Sequence, residues 1–291
     1  MNWDDVRIFL AIARSGQLLG AAKSLGLNHA TVARRLGALE AALGSTLVRR
    51  KTNGIELTAQ GEHFLSFAET MESASLAAAE AAGADSAVEG IVRIGAPDGF
   101  GVAFLAPRLG ELTDRHPGLR VELVPVPRAF SLSRREADIA VTLERPREGR
   151  LVARKLTDYR LGLYASPAYL ARHGTPQVAD DLARHRLVGY VEDLLYTATL
   201  DYTAEFLKDW RSTLAVSSAM GQTEAVRAGA GIGILHTFMA GRDSGLVPVL
   251  PAQTLSRSYW TVVHEDLRAI RRVVLVADFL AEIVSRDKAM F

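Results

Sequence analysis

Residues 18–57 read LLGAAKSLGLNHATVARRLGALEAALGSTLVRRKTNGIEL, and this stretch decides the fold of the N-terminal part. Leu18, Ala21, Ala22 and Leu25 recur at helical spacing and stop at Gly26. Asn28 is a suitable N-cap for a second helix, whose apolar stripe Val32, Leu36, Leu39 and Leu43 ends at Gly44, a residue suited to a left-handed C-terminal stop. The opposite face carries Thr31, Arg34, Arg35 and Ala38. Two short strand-like runs then flank Thr52-Asn53-Gly54, and Asn-Gly is a strong hairpin signal. Helix, tight turn, helix and basic hairpin together predict a winged helix-turn-helix.

Upstream, Val6, Phe9, Leu10 and Ala13 mark one more helix that stops at Ser15-Gly16. Downstream, Thr58 is placed to cap a helix of about 25 residues without proline. On it Phe64, Ala68, Met71, Ser75 and Ala78 form a seam of near-heptad spacing. The seam has two readings: a dimerisation surface, or a helix lying on its own domain. After Gly83 the texture changes to strands alternating with helices, IVRIG, a helix from about Val102 to His116, LRVELVPV and ADIAVTL. A second set follows with LGLYA, RLVGYV, LAVSS, a helix from about Gln222 to Ala228 and IGILH, then SYWTVVH and a final helix. This rhythm predicts βαβ units, a largely parallel sheet and two lobes around a cleft.

The net charge of +1 is distributed unevenly: residues 1–60 net +4, residues 61–90 net −6 and the remainder +3. A basic front suits a polyanion, and an acidic segment behind it would stay off a duplex. The chain has no cysteine, which removes disulfide frameworks, thiolate metal sites and cysteine nucleophiles. No apolar run is long enough to span a bilayer, and the acidic start MNWDD is unlike a secretory signal, so no membrane partner and a cytoplasmic location are expected.

From these residues the chain resembles the LysR-type transcriptional regulators. The likeness is strongest over residues 3–71, through WDDVRIFLAIARSGQLLGAAKSLGLNHATVARRLGALEAALGSTLVRRKTNGIELTAQGEHF, and continues through PGLRVELV, READIAVTL, GLYASPAYLARHG and AVRAGAGIGIL. The resemblance implies an α+β multidomain chain: a winged helix-turn-helix DNA-binding domain over 1–58, a long linker and dimerisation helix over 59–87, and a two-lobed α/β periplasmic-binding-protein-like effector domain over 88–291. Lobe one would comprise 88–162 with 264–291, lobe two 163–263, joined by two crossing strands. The partners implied are double-stranded DNA, an unidentified small-molecule effector, further copies in a homodimer or homotetramer, and RNA polymerase.

Bases are read by short side chains at the start of a recognition helix, and phosphates by longer cations. Asn28, His29, Thr31 and Arg34 are candidates for base edges, although Asn28 has the alternative of acting only as a cap. Arg34 and Arg35, with Arg49, Arg50 and Lys51 in the wing, are candidates for phosphates. Ligands of open α/β sheets sit beyond the carboxyl ends of strands. That points to Asp98, Gly99, Phe100 and Gly101, to Arg128 and Ser131, to Glu144 and Arg145, to Ser217, Ser218, Gln222 and Thr223, and to Tyr190, Glu192 and His236 on the rim. The four residues before the lobe-two helix have capping as an alternative role. Members of the family it resembles often have Ser or Thr where Phe100 stands, and this bulky apolar side chain would narrow the pocket or favour an aromatic or apolar ligand. Arg128 and Arg145 suit a carboxylate effector, whereas Asp98, Glu144 and Glu192 argue against one.

Enzyme signatures are missing. The seven histidines show no HxxxH or HExxH spacing, and no metal or other cofactor is expected. The run Gly229-Ala230-Gly231-Ile232-Gly233 precedes a strand, whereas a dinucleotide loop follows one. Neither GxSxG nor a P-loop occurs. Three functions stay open on the residues alone: a ligand-responsive regulator, a ligand-independent architectural DNA-binding protein, and an α/β enzyme with an appended DNA-binding domain.

Overall fold

The computed structural model describes residues 1–51, 54–82, 88–130, 132, 136–146 and 148–291, with the backbone alone at 73, 76, 77 and 79–82. The chain divides into two compact units, one built on the first 86 residues with the short segments 131–136 and 265–271, the other on the remainder.

In the first unit, α1 (Trp3–Ser15), α2 (Leu18–Leu25) and α3 (His29–Leu43) each stop at a glycine in the left-handed region, Gly16, Gly26 and Gly44, with φ of 65°, 63° and 64°. Only glycine holds that conformation without steric cost, so the punctuation read in the sequence is the punctuation of the fold. The Asn2 side chain accepts from the Asp4 amide at 3.1 Å, and Asn28 accepts from the Ala30 amide at 2.7 Å. Val6, Phe9, Leu10, Ile12, Ala21, Val32, Leu36, Leu39 and Leu47 form the buried core.

Strands β1 (Val48–Lys51) and β2 (Gly54–Leu57) pair antiparallel, with Lys51 opposite Gly54. Thr52 and Asn53 of the expected turn lie outside the described residues. Gly54, at φ 142°, brings the wing against the first turn: the Ile55 amide donates to the Gly16 carbonyl at 2.8 Å, and a Cβ on Gly54 would lie 2.7 Å from that oxygen. Glu40 ties α3 to the wing by accepting from the Leu47 and Val48 amides at 2.7 and 3.2 Å.

Helix α4 (Ala59–Ala82) starts as expected at Thr58, whose hydroxyl donates to the Thr46 carbonyl and accepts from the Gly61 amide. Of the seam read on this helix, Phe64, Ala68 and Met71 pack on the core of their own unit. Phe64 meets Phe9 edge-on at 5.2 Å, and Arg14 binds both carboxylate oxygens of Glu72. Three of the five seam residues are therefore used internally, and Ser75 and Ala78 remain exposed along with Phe67.

The second unit is one eight-stranded sheet. Its strands are β3 (Gly90–Ala96), β4 (Leu119–Pro125), β5 (Ile139–Thr142), β6 (Leu151–Ala165), β7 (Leu187–Gly189), β8 (Leu214–Ala215), β9 (Ile232–His236) and β10 (Val247–His264), in the order β4-β3-β5-β10-β6-β9-β7-β8. The sheet is mixed rather than largely parallel: β4-β3-β5 and β9-β7-β8 are parallel sets, the long β6 and β10 run antiparallel to each other, β10 is antiparallel to its neighbour β5 and β6 to its neighbour β9, so the two sets run in opposite directions. These two strands belong to both halves, so the lobes are the two ends of a continuous ladder. LAVSS contributes only a two-residue strand, and SYWTVVH is the end of β10.

The unit's helices are α5 (Asp98–Phe100), α6 (Leu109–Arg115), α7 (Pro167–His173), α8 (Ala219–Arg227), α9 (Thr237–Ala240) and α10 (Arg271–Arg286). The helix expected from Val102 starts four residues earlier, continues as a π-helical turn Gly101–Leu105, and breaks at Pro107, which has no amide to donate. Helix α8 starts three residues before its expected place because Ser218 caps it, accepting from the Gly221 amide at 3.1 Å.

Candidate DNA-binding surface and ligand cleft

On α3, Asn28, His29 and Arg34 are exposed and Thr31 is half-buried, all within the first two turns. The Asn28 side-chain oxygen is engaged as a cap. Arg34 and Arg50 make no ion pair among the described residues. Arg35 is different: its guanidinium lies 3.5 Å from Asp4 and 3.4 Å from Asp5, at the start of α1. In the wing, strand alternation places Arg49 and Lys51 on one face with Glu56 and Arg50 on the other. Lys51 reaches Glu56 at 2.5 Å and holds its carboxyl below the usual carboxylate range, with a smaller contribution from Arg49. The candidate cations thus split into two unpaired side chains, Arg34 and Arg50, and three that balance acidic neighbours.

In the second unit the parallel strands of both halves end towards one cleft. Asp98 follows β3, Glu144 follows β5, Tyr190 follows β7, Ser217 and Ser218 follow β8, and His236 ends β9. Two carboxylates of lobe one bridge to lobe two. Asp98, 7 % exposed, accepts from the Ser218 hydroxyl at 2.6 Å and the Met220 amide at 3.1 Å, at the start of α8. Glu144 accepts from the Thr199 amide at 3.0 Å and from the hydroxyls of Thr197 and Thr199. Gly99 allows the first bridge, since a Cβ there would meet Ala219 and Met239 at 3.2 Å. Gly101 sits where a Cβ would be 2.6 Å from Pro125.

Beside the second bridge lies a cavity of about 280 Å³ lined by Arg128, Phe130, Leu143, Glu144, Tyr196 and Thr197 among others. Arg128 is exposed, stacks over Phe130 at 5.0 Å and donates to the Ala129 carbonyl. Arg145, also exposed, lies 6.0 Å from the Trp260 ring. Glu192 is exposed, Tyr190 and Ser217 are half-buried, and Ser131 lies outside the described residues.

Three expectations change. Phe100 does not narrow the cleft: its ring is wholly buried against Tyr259 at 4.5 Å and Phe104 at 5.1 Å. Gln222 and Thr223 are not rim residues but buried parts of α8, bonded to the Val216 and Ala219 carbonyls at 2.9 Å. His236 is buried rather than exposed on the rim, stacked 5.2 Å from Tyr159, and burial lowers its pKa to about 4. Sequence reasoning also passed over Tyr159, Tyr196, Tyr202 and Tyr259. Tyr159 and Tyr259 stack at 4.1 Å on the crossing strands, and the Tyr259 hydroxyl is buried without a hydrogen-bond partner among the described residues. Burial first, and the Asp98 charge among the neighbours, raises the pKa of Tyr190, Tyr196, Tyr202 and Tyr259.

Over residues 3–62 the chain matches the family profile described as bacterial regulatory helix-turn-helix protein, lysR family, and over residues 85–285 that of the LysR substrate binding domain. The chain belongs to the LysR family. It is similar to the HTH-type transcriptional regulator CrgA of Neisseria meningitidis serogroup C, 29 % identical over 289 residues that cover 97 % of this chain and 96 % of that protein. The HTH-type transcriptional activator TtdR of Escherichia coli K12 is 28 % identical over 291 residues, covering 95 % and 92 %. Among solved structures, full-length CrgA superposes with a TM-score of 0.59 at 26 % identity, covering 97 % of this chain and 98 % of that one. The CrgA regulatory domain superposes with a TM-score of 0.62 at 29 % identity, over 67 % of this chain and 98 % of that one.

As a LysR-type protein the chain is a transcriptional regulator, with a helix-turn-helix DNA-binding part and an effector-binding part, and not an enzyme. No group of His, Asp or Glu among the described residues is placed to hold a metal ion, and no helix there is long and apolar enough to cross a membrane.

Proposed function

We propose that this LysR-type regulator reads an operator with α3 and its wing, and that a small molecule seated between the lobes changes that reading. The domains assigned are 1–58 for DNA, 59–87 for the linker helix and 88–291 for the effector. His29 and Thr31 contact base edges, Arg34 and Arg50 contact phosphates, and Asn28 is chiefly the cap. The observation that carries this reading is the exposure of unpaired Arg34 and Arg50 beside a capped, polar helix start, while neighbouring cations are neutralised within the unit. Copies pair through the face of α4 not used internally, where Phe67 is 56 % exposed. The regulator acts in the cytoplasm as a homodimer or homotetramer, with RNA polymerase as a further contact.

The test is selection of genomic fragments by purified protein at near-physiological salt, followed by footprinting. A few enriched sites with paired protections are expected. Uniform enrichment with a steep salt dependence overturns the specific-regulator reading in favour of architectural binding. His29→Ala and Thr31→Ala are each expected to cost about 1–3 kcal/mol on the selected site and to relax specificity at one base pair.

A further inference from the structure

Asp98 has three properties that together point to a ligand. It is a carboxylate buried to all but 7 % of its surface. No Lys, Arg or His pairs with it among the described residues, and Oδ2 takes both of its hydrogen bonds, so Oδ1 receives none. The groups that feel its charge are polar aromatic rings rather than cations, Tyr190, Tyr196, Tyr202, Tyr259 and the neutral His236, and Tyr196 together with Pro97, the residue before Asp98, lines the cavity of about 280 Å³. A buried carboxylate without a counter-ion is costly, and aromatic faces attract cations.

Three cations of the cleft loops and the crossing strands are engaged elsewhere. Arg257 pairs with Glu205, Arg128 stacks on Phe130, and Arg145 lies over Trp260. The α8 N-terminus, which offers amides to an incoming anion, already holds the Asp98 carboxylate at the Met220 amide and Ser218 hydroxyl. A carboxylate ligand arriving there would meet a resident carboxylate, whereas an ammonium would supply the missing counter-charge.

We infer that the effector is a small aromatic amine: its ammonium is received by Asp98, and its ring lies in the adjoining cavity against Phe130, Leu143 and Tyr196. The inference rests on the reading of the cleft as the effector site and narrows the ligand class. Arg128 in the cavity wall does not forbid it, because Glu144 lines the same wall and Asp98 adds a second negative charge.

The experiment is titration calorimetry of the full chain, without DNA, against 2-phenylethylamine, phenylacetate and 2-phenylethanol, three probes of matched shape and different charge. Saturable binding of the amine, at least about tenfold tighter than either other probe, is expected. Tighter or equal binding of phenylacetate, or no binding of any probe, overturns the inference. Asp98→Asn keeps an acceptor for Ser218 and Met220 while removing the charge, and is expected to weaken the amine at least about tenfold. An unchanged amine affinity in that variant also overturns it. The wild-type comparison stands whether or not the variant folds. Because no DNA is present, failure here leaves the operator test unaffected, and failure of that test leaves this one to be judged by itself.

Discussion

At the scale of single residues, Gly61 carries a demand that composition does not reveal. A Cβ at this position would lie 2.0 Å from the Leu47 carbonyl oxygen, which is backbone and has no side chain to swing away. Gly61→Ala is therefore expected to destabilise the first unit by about 1–3 kcal/mol, read by urea unfolding. Retention of full stability would show that α4 can shift off the wing without loss. His236 makes a prediction in pH. Its folded pKa of about 4 lies below the unfolded value of 6.5, so the unfolded chain binds the extra proton first as pH falls. The stabilisation is complete above pH 6.5, declines through the interval down to pH 4 and does not change further below it. The burial implies a loss on the order of 3 kcal/mol across that window, and His236→Asn is expected to flatten this part of the stability profile. An equally steep profile in the variant would assign the loss to other groups.

Elements show which cations are available for a partner. Arg34 and Arg35 are adjacent in sequence, yet one is unpaired and the other is anchored to Asp4 and Asp5. Arg34→Ala is expected to weaken binding to all DNA sequences alike and to reduce the salt slope by about one. Arg35→Ala is expected to change folding stability by about 0–1 kcal/mol, as partly exposed pairs do, with the smaller effect on DNA. Gel-shift titrations over a salt series compare them, and identical salt slopes for both variants would remove the distinction. This difference was not legible in the sequence, because helical spacing tells which face a side chain leaves from but not which acid from another helix meets it. What was legible rested on local physics: the caps at Asn28 and Thr58, and the left-handed glycines 16, 26 and 44. The cleft was less legible for the same reason. Asp98 and Ser218 stand 120 positions apart, and the tyrosines on β6 and β10 look like ordinary strand core until the two strands are paired. Strand direction was misread as well, since alternation of strands and helices does not reveal that β6 and β10 run against their neighbours. The break at Pro107 was passed over too, since the helix was expected to run from Val102 to His116 without interruption.

At the scale of the whole molecule, α4 contributes Phe64, Ala68 and Met71 to its own unit and leaves Phe67 uncovered. If copies associate through that remaining face, Phe67→Asp is expected to shift the chain towards monomer in sedimentation velocity, while the circular dichroism of the subunit is unchanged. Persistence of the wild-type assembly would place the contact elsewhere. The second unit has a property of a different kind. Strands β6 and β10, 15 and 18 residues long, are hydrogen-bonded to each other through the region that separates the two ends of the sheet. Neither end can lose its ladder without taking apart a strand of the other. Residues 88–291 should therefore melt as a single cooperative block, with one calorimetric transition and no half-folded species for a protease to trap. A molecule that grips only one end would slow amide exchange at the far end as well.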